Sequence, residues 1–268
     1  MLGREFVEVG KKMGQEMMGW TRQDLNLEKS EEGIRRLKAL RPQAVIHCAA
    51  ETNVDLCEQE PGRARQVNAE AAGRLAQAAR EVGARFVLIS TSGLFDGKKK
   101  GPFTEEDRPN PPTAYGRSKL EGEEMVRAAN PAALILRAGW LFGGSLDLNK
   151  NFVGARLREA QTNRELVSAA DKLGSPTWTR DFAAAALELL AKGESGIVHL
   201  ANSGQASRFE YVSEILKISG QTKKIRAVDS GHFPRAAPVP GDERLASTRI
   251  PPLRDWREAL REYLPNQL

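Results

Sequence analysis

A tyrosine and a lysine four positions apart, Tyr115 and Lys119, are the residues of this sequence best suited to proton transfer. On a helix, that spacing places both side chains on one face. An ammonium close to a phenol stabilises the phenolate and lowers the pKa of the phenol from about 10. A tyrosine tuned in this way can donate a proton to a carbonyl oxygen as a hydride reaches the carbon, or accept it in reverse.

The segment before this pair ends in a row of hydroxyl groups. Residues 85–89 read Arg-Phe-Val-Leu-Ile, which predicts a buried strand, and Ser90, Thr91 and Ser92 follow. Thr91 therefore stands at the carboxyl end of a predicted strand, where parallel sheets bind their ligands. Its hydroxyl could donate to the same carbonyl oxygen as Tyr115. The predicted catalytic residues are Thr91, Tyr115 and Lys119, with a turn cap and a solvated helix face as the alternative.

Apolar runs and helical periodicity alternate along the chain. We predict strands at 16–22, 44–50, 85–89, 133–137 and 196–201. We predict helices after Ser30 and after Pro61, and at 114–129, 179–190, 208–218 and 255–264, with Ser30, Thr179 and Ser207 as caps. This order predicts an α/β fold with a doubly wound parallel sheet of the Rossmann type.

Length and composition are those of an ordinary soluble enzyme or binding protein. The chain has 268 residues, with 40% hydrophobic and 28% charged residues. No apolar run reaches the roughly 18 residues of a membrane-spanning helix, and the first residues lack the pattern of a secretion signal. Cys48 lies in an apolar run and Cys57 is the only other cysteine, so we expect no disulfide framework and a cytoplasmic location.

The net charge of +5 is spread along the chain rather than concentrated. The one tight basic run, Lys98–Lys100, lies in a glycine-flanked loop, so we expect no nucleic-acid partner. A mildly basic surface suits small anionic ligands such as dinucleotides and sugar nucleotides. His47 and His199 lie in apolar runs and His232 is isolated, so we expect no metal site.

Taken together, several segments resemble the dTDP-4-dehydrorhamnose reductases, a family of extended short-chain dehydrogenase/reductases. They are residues 45–55 (VIHCAAETNVD), 90–97 (STSGLFDG), 115–122 (YGRSKLEG), 137–140 (RAGW), 151–152 (NF) and 171–177 (DKLGSPT). The resemblance covers nearly the whole chain. It implies hydride transfer from NADPH or NADH to the C4 ketone of a dTDP-6-deoxy-4-ketohexose, giving dTDP-L-rhamnose.

The resemblance also implies roles for single residues. Tyr115 would be the acid, and Lys119 would also hold the nicotinamide ribose. The implied cofactor contacts are Gly3, Arg22, Asp24, Leu25, Ala49, Ala50, Glu51, Thr52, Tyr115 and Lys119. The implied substrate contacts are Thr52, Val54, Thr91, Ser92 and Trp140.

Three of these assignments have an open alternative. Arg22 could meet the 2′-phosphate of NADPH or face solvent, Asp24 could lie near the adenine or only begin a turn, and Trp140 could contact the sugar nucleotide or belong to the core. We expect residues 1–142 to form the dinucleotide-binding domain. Residues 143–268 would form a smaller substrate-binding region, some of whose elements return to the main sheet.

This sequence departs from the family at three places. Ser92 and Gly93 stand where the family has Asp-Tyr, so we expect a weaker hold on the sugar. Pro238-Val239-Pro240 replaces a stretch of the Arg-Arg-Pro type. At the start, only Leu2-Gly3-Arg4-Glu5 resembles the glycine-rich loop, with Gly3 as its last glycine. We therefore expect that the first strand and most of this loop are missing here and belong to a longer functional protein.

Three functions remain open from the sequence. The chain could be the sugar-nucleotide 4-ketoreductase, a reductase of a different keto-sugar nucleotide, or a non-catalytic partner subunit. The regulatory β subunit of methionine adenosyltransferase also resembles this family and would exemplify the last. Retention of Thr91, Tyr115 and Lys119 favours an enzyme, whereas the missing phosphate loop favours a partner subunit. A sugar nucleotide is the expected substrate, and a homodimer is compatible with the resemblance.

Overall fold

The structure is a computed structural model that describes residues 1–267. Its α-helices are α1 (Leu2–Lys12), α2 (Glu31–Leu40), α3 (Val54–Gln59), α4 (Pro61–Arg65), α5 (Ala71–Glu81), α6 (Ala114–Ala129), α7 (Phe152–Thr162), α8 (Thr179–Ala191), α9 (Arg208–Ile218) and α10 (Trp256–Tyr263). A π-helical turn, Gln66–Glu70, joins α4 to α5. Short 3-10 turns occupy Leu27–Lys29, Ser92–Leu94 and Ser230–His232.

The strands form one main sheet and several two-stranded pairs. They are β1 (Ala44–His47), β2 (Arg85–Thr91), β3 (Leu134–Ala138), β4 (Trp140–Phe142), β5 (Glu165–Ala169), β6 (Leu173–Gly174), β7 (Pro176–Trp178), β8 (Gly196–Leu200), β9 (Asn202–Ser203), β10 (Ala206–Ser207), β11 (Lys224–Val228) and β12 (Leu253–Asp255). The main sheet has the order β1-β2-β3-β8, and all its strands are parallel. Their carboxyl ends therefore lie along one edge, where ligands of such sheets bind.

Helices cover both faces of the main sheet. In β2, Val87 and Ile89 belong to the core on one face and Phe86 and Leu88 to the core on the other, as the two-residue period of a strand requires. The first face packs against α1 and α8, and the second against α2, α5 and α6. This layering confirms the doubly wound Rossmann-type sheet predicted from the sequence.

The C-terminal part of the chain builds a second core beside the main sheet. Its largest side chains are aromatic: Phe142, Trp178, Tyr211, Trp256 and Tyr263. Strand β8 and helix α8 return to the main sheet and its covering layer. The boundary expected between residues 142 and 143 falls directly after β4 and stays a prediction.

Four of the five predicted strands are confirmed, and α6 has the predicted bounds. The predicted capping box is present, because the Ser207 hydroxyl accepts from the Glu210 N–H at 3.0 Å and the Glu210 carboxylate accepts from the Ser207 N–H at 2.7 Å. The capping roles predicted for Ser30 and Thr179 are wrong. Neither side chain makes a capping hydrogen bond, and Thr179 is the first residue of its helix.

The strand predicted at 16–22 is wrong, because residues 15–21 have no regular secondary structure. A strand needs a neighbour for its hydrogen-bond ladder. Within residues 1–267, β1 pairs with β2 alone, so no strand lies beside this segment. It instead runs back along α1, where Met17 packs on Gly10 and Gly19 packs on Val7. Its apolar side chains serve contact with a helix rather than a sheet.

A buried ion pair joins the helix α6 to the main sheet. Arg137 of β3 donates to Glu123 of α6 at 2.9 and 2.7 Å, and both side chains are only 2% exposed. The Arg137 guanidinium also lies 3.3 Å from Nε2 of His199 in β8. Burial lowers the pKa of His199, so its ring stays neutral beside the guanidinium at neutral pH.

Removal of the carboxylate charge should therefore destabilise the protein strongly. Glu123→Gln leaves a buried guanidinium without its counter-charge, a change that costs about 3–5 kcal/mol in comparable pairs. Urea denaturation should show this loss in the free energy of unfolding. The exposed neighbour Glu124 provides the control, because Glu124→Gln should change it by less than about 0.5 kcal/mol. A loss below about 1 kcal/mol for Glu123→Gln would contradict the assigned role of the pair.

Candidate active site

The three predicted catalytic residues meet where β2 ends and α6 begins. Thr91 is the last residue of β2, and Tyr115 and Lys119 lie on successive turns of α6. The Thr113 hydroxyl caps α6 by accepting from the Gly116 N–H at 3.0 Å. A Cβ atom on Gly116 would lie 2.4 Å from the Gly93 carbonyl oxygen. Only glycine at position 116 therefore lets α6 approach the end of β2 this closely.

The Thr91 hydroxyl lies close enough to the Tyr115 phenol to lower the pKa of the phenol. The Thr91 Oγ1 also accepts from the Gly93 N–H at 3.1 Å, which fixes its position at the strand end. A carbonyl oxygen placed between these two hydroxyls would meet both donors at once. The structure therefore brings the Thr91 hydroxyl at the strand end close to the Tyr115 phenol on the helix.

The pKa predicted for Tyr115 has the wrong sign. Burial raises the pKa of Tyr115 to about 12, and the nearby Thr91 hydroxyl only partly offsets this. The Lys119 ammonium does not act on the phenol as expected, because its Nζ donates to the Ile89 carbonyl of β2 at 2.6 Å. Desolvation therefore outweighs the cation four residues along the helix, and Tyr115 is protonated at neutral pH.

Lys119 is 3% exposed and lies between the ends of β1 and β2. Burial lowers its pKa to about 8, against the opposing effect of Glu123. Two neutral groups share this space. Burial, followed by the charge of Lys119, lowers the pKa of His47 to about 3, and burial raises the pKa of Cys48 to about 12. Lys119 is therefore the group here whose charge changes near neutral pH.

Asn68, which the sequence analysis missed, fixes the loop at Ala49, Ala50, Glu51 and Thr52. Its Oδ1 accepts from the Glu51 N–H at 2.8 Å, and its Nδ2 donates to the Glu51 carbonyl at 3.0 Å. The same Nδ2 lies 3.0 Å from Oγ of Ser118, on the catalytic helix. Asn68 is 1% exposed within the π-helical turn, so its signal in the sequence is a polar residue on an otherwise apolar helix face.

The N-terminus of α1 lies at the carboxyl end of β1. A Cβ atom on Gly3 would lie 3.9 Å from the Cβ of Cys48, so the first turn of α1 passes directly over the strand end. Lys150 approaches the same region and donates to the Thr52 hydroxyl at 3.1 Å. A helix N-terminus and an ammonium together favour an anionic group at this place.

Arg22, Asp24 and Leu25 lie in the turn before α2. Asp24 accepts from the N–H and the hydroxyl of Thr21, both at 2.8 Å, and these hydrogen bonds lower its pKa. Arg22 is largely exposed and lies 3.4 Å from Glu28. Leu25 packs against α2, where a Cβ atom on Gly33 would lie 2.5 Å from it. Their cofactor roles stay predictions.

Arg63 connects this turn to the fixed loop, because its guanidinium lies 3.0 Å from Glu28 and 3.4 Å from Glu51. The fold thus brings the turn before α2, the loop after β1 and the N-terminus of α1 to the same side of β1. The segments that carry the predicted cofactor contacts therefore lie next to one another in the structure.

The predicted substrate residues occupy different environments. Val54 is the first residue of α3 and is partly buried. Ser92 is 2% exposed, so its side chain points into the protein. The Trp140 indole is buried against Gly174 and the Arg208 guanidinium, which stacks 3.4 Å from the ring centroid. Its Nε1 donates to Glu243 Oε2 at 3.1 Å, a residue that the sequence analysis missed.

No group of three or more His, Cys, Asp or Glu side chains in the described part of the chain could hold a metal ion. Within residues 1–267, no helix combines the length and apolar character that crossing a membrane requires.

Fold and site together define an oxidoreductase of the short-chain dehydrogenase/reductase class. A parallel sheet of Rossmann type carries hydroxyl, phenol and ammonium groups at the carboxyl ends of its strands. The family model described as RmlD substrate binding domain matches residues 1–268. The chain is 36% identical to dTDP-4-dehydrorhamnose reductase of Mycolicibacterium smegmatis, over 98% of this chain and 81% of that protein.

Two solved structures are similar over nearly their whole length. A dTDP-4-dehydrorhamnose reductase of Clostridium acetobutylicum has a TM-score of 0.94 and 36% identity, covering 99% of this chain and 95% of the other. The enzyme of Bacillus anthracis, solved in complex with NADP, has a TM-score of 0.94 and 28% identity, with the same coverage. The chain therefore belongs to the dTDP-4-dehydrorhamnose reductase family.

The role of Asn68 can be tested by Asn68→Ala. This change leaves the Glu51 N–H and carbonyl without their partners, and each buried group left unpaired costs about 1–3 kcal/mol. We expect faster hydrogen exchange at the Glu51 amide and a lower free energy of unfolding. Ser118→Ala is the matched control, because it removes one bond to Asn68 and leaves both bonds to Glu51. Unchanged hydrogen exchange at the Glu51 amide of Asn68→Ala would contradict the role assigned to Asn68.

Proposed function

We propose that this protein reduces the C4 ketone of a dTDP-6-deoxy-4-ketohexose with NADPH or NADH and yields dTDP-L-rhamnose. The observation that carries the proposal is the meeting of the Thr91 hydroxyl and the Tyr115 ring beside Gly93, on the helix that also carries the buried ammonium of Lys119. These groups lie at the sheet edge where a Rossmann-type fold binds its ligands. The relatives described above, which are named for this reaction, support the same assignment.

Tyr115 is the proton donor of the proposed reaction. Its pKa of about 12 keeps the phenol protonated at neutral pH, yet a phenol is still far more acidic than the alcohol that forms at C4. Thr91 donates a second hydrogen bond and holds the carbonyl oxygen against Tyr115. NADPH or NADH supplies the hydride to the C4 carbon when bound. The carbonyl oxygen gains the proton of Tyr115, and the Lys119 ammonium lies one helical turn from the phenolate that remains.

A dinucleotide fits the residues on the cofactor side. The buried ammonium of Lys119 has the Ile89 carbonyl as its one acceptor in the described structure, so two of its N–H donors remain for ribose hydroxyls. The loop fixed by Asn68 presents the small side chains of Ala49 and Ala50 beside it. The N-terminus of α1 and Lys150 favour the negatively charged phosphates.

The substrate pocket favours a reductase of a different keto-sugar nucleotide as the second candidate. Gly93 offers no side chain, and Glu243 lies beside it. The third alternative, a non-catalytic partner subunit, receives no support from the site. Thr91, Tyr115 and Lys119 lie at one edge of the sheet, and a binding subunit does not need these three groups together. A panel of dTDP-4-keto sugars with NADPH oxidation as the readout distinguishes these three functions.

A cytoplasmic location belongs to the proposal, since both cysteines are free and reduced thiols persist in that compartment. Assembly as a homodimer stays a prediction, and light scattering coupled to size-exclusion chromatography would measure it.

Replacement of the proton donor should reduce turnover. We expect Tyr115→Phe to lower kcat by roughly 10²- to 10⁴-fold, because general acid catalysis contributes about this much. The affinity for NADPH should stay within about twofold, since the ring remains. Steady-state kinetics and a fluorescence titration measure the two quantities. Near-normal turnover by Tyr115→Phe would exclude Tyr115 as the acid.

Cofactor affinity should depend on pH through Lys119. Its pKa of about 8 means that the side chain is an ammonium below this pH and a neutral amine above it. If the ammonium binds the ribose, cofactor binding raises its pKa, so affinity for NADPH falls as the pH rises through about 8. A fluorescence titration from about pH 6.5 to 9.5 measures this fall.

Lys119→Met is the matched control for this dependence. The variant should bind NADPH more weakly at low pH and should lack the fall near pH 8. Burial, followed by Arg4, lowers the pKa of the Met1 amino group. That group is present in both proteins, so the difference between them reports Lys119. Parallel pH profiles for the two proteins would contradict the role of Lys119.

A further inference from the structure

Three groups from distant parts of the chain surround one point beside Tyr115. A Cβ atom on Gly93 would lie 3.5 Å from Glu243 Oε1, 3.5 Å from Thr91 Oγ1 and 3.7 Å from the Tyr115 ring. A carboxylate oxygen, the Thr91 hydroxyl and the edge of the Tyr115 ring therefore border the same space beside Gly93. It arrives from a segment about 130 residues beyond Tyr115.

The Glu243 carboxylate is held in place from two sides. Its backbone N–H donates to the Leu173 carbonyl at 2.9 Å, and its Oε2 accepts from Trp140 Nε1 at 3.1 Å. The residues on either side, Asp242 and Arg244, are paired with each other at 2.9 Å. The position of this carboxylate is therefore set by the fold before a ligand arrives.

The other oxygen of this carboxylate is free to accept a hydrogen bond. Glu243 Oε1 has no donor in the part of the chain that the structure describes. The Arg208 guanidinium attracts Glu243 but forms no ion pair with it within 4 Å, and it stacks on Trp140 and Phe152 instead. A partly buried carboxylate oxygen without a donor is a strong acceptor for a ligand hydroxyl.

The chemistry of a sugar nucleotide decides which of its groups fits this place. A carboxylate repels the diphosphate and accepts from hydroxyl groups. In a 6-deoxy-4-ketohexose, the C3 hydroxyl is adjacent to the C4 ketone on one side of the ring, and the methyl-bearing C5 lies on the other. With the ketone between Thr91 and Tyr115, a ring hydroxyl would reach the space above Gly93.

We propose that Glu243 is a specificity-determining residue whose carboxylate binds a ring hydroxyl of the 4-keto sugar, in the space left by the absent side chain at position 93. This inference rests on the proposed function and deepens it. The sequence predicts a weaker hold on the sugar because Ser92 and Gly93 replace the family's Asp-Tyr. In this proposal, Glu243 supplies the carboxylate from a different segment of the chain instead. The protein should therefore discriminate against deoxy sugars that lack this hydroxyl.

Glu243→Gln and Glu243→Ala test the proposal with two kinds of substrate. With NADPH and dTDP-4-keto-6-deoxy-L-mannose, we expect KM to rise about tenfold or more, because a hydrogen bond to a charged group is lost, whereas kcat changes less. With the 2-deoxy and 3-deoxy analogues, one should show a KM that is already high in the wild type and insensitive to both variants. Gln keeps an acceptor for Trp140, so Glu243→Gln separates the lost charge from misfolding.

A binding measurement decides the inference separately from turnover. Calorimetry should show that Glu243→Gln weakens the binding of dTDP-L-rhamnose about tenfold but leaves the binding of dTDP unchanged. Glu124→Gln, at an exposed position of α6, is the control and should change neither. Equal effects on dTDP and dTDP-L-rhamnose, or a KM rise common to every analogue, would overturn the role of Glu243. A wild-type protein that reduces none of these sugars would overturn the proposed function instead, while calorimetry still decides the role of Glu243.

Discussion

The close approach of α6 to the main sheet is the constraint on which the site depends. One glycine makes this approach sterically feasible, and a second lets α6 pack closely on the π-helical turn. A Cβ atom at Gly116 would lie 2.4 Å from the Gly93 carbonyl oxygen, and one at Gly122 would lie 2.3 Å from the Asn68 carbonyl oxygen. Real Cβ atoms do not come so near to a backbone oxygen, so any other residue would push the helix outward. Tyr115 would then lose Thr91, and Lys119 would lose the Ile89 carbonyl.

Burial, rather than charge pairing, sets the protonation states at this edge of the sheet. The low dielectric around these groups disfavours the charged form of each. The pKa values of His47 (about 3), Cys48 (about 12) and Tyr115 (about 12) all keep these groups neutral at physiological pH. Lys119, with a pKa of about 8, stays the principal cation of this buried space. An anionic ligand that binds here is therefore attracted mainly by the charge of Lys119, because the neighbouring buried groups are neutral.

The fold and the catalytic residues could be predicted from the sequence because their signals are local. Apolar runs identified four strands, and the bounds of α6 followed from periodicity between two breaks. The strand predicted at 16–22 was wrong because its apolar residues pack on α1. A pattern of apolar residues does not show which element will cover them. The predicted lowering of the pKa of Tyr115 was wrong, because sequence spacing identifies the neighbours of a group but not how deeply the group is buried.

Two functional residues lay outside the reach of local reasoning. Asn68 acts through the main chain of Glu51, a contact that the sequence does not encode as a motif. Glu243 reaches the site from a proline-rich segment that has no regular secondary structure around it. Its position depends on Leu173 and Trp140, which are distant in sequence from both Glu243 and Tyr115. Tertiary packing alone brings these groups together.

The π-helical turn at Gln66–Glu70 joins α4 to α5, and the number of residues in it sets how the two helices are rotated relative to each other. A π turn holds one residue more than the α-helix around it has room for. Deletion of any residue here would restore ordinary α geometry and rotate the following helix by about 100° relative to the preceding one. Either Asn68 would leave Glu51, or the alanine-rich face of α5 would leave α6. A substitution in this stretch changes only the contacts of its own side chain, whereas a single-residue deletion would break the alignment of two functional surfaces.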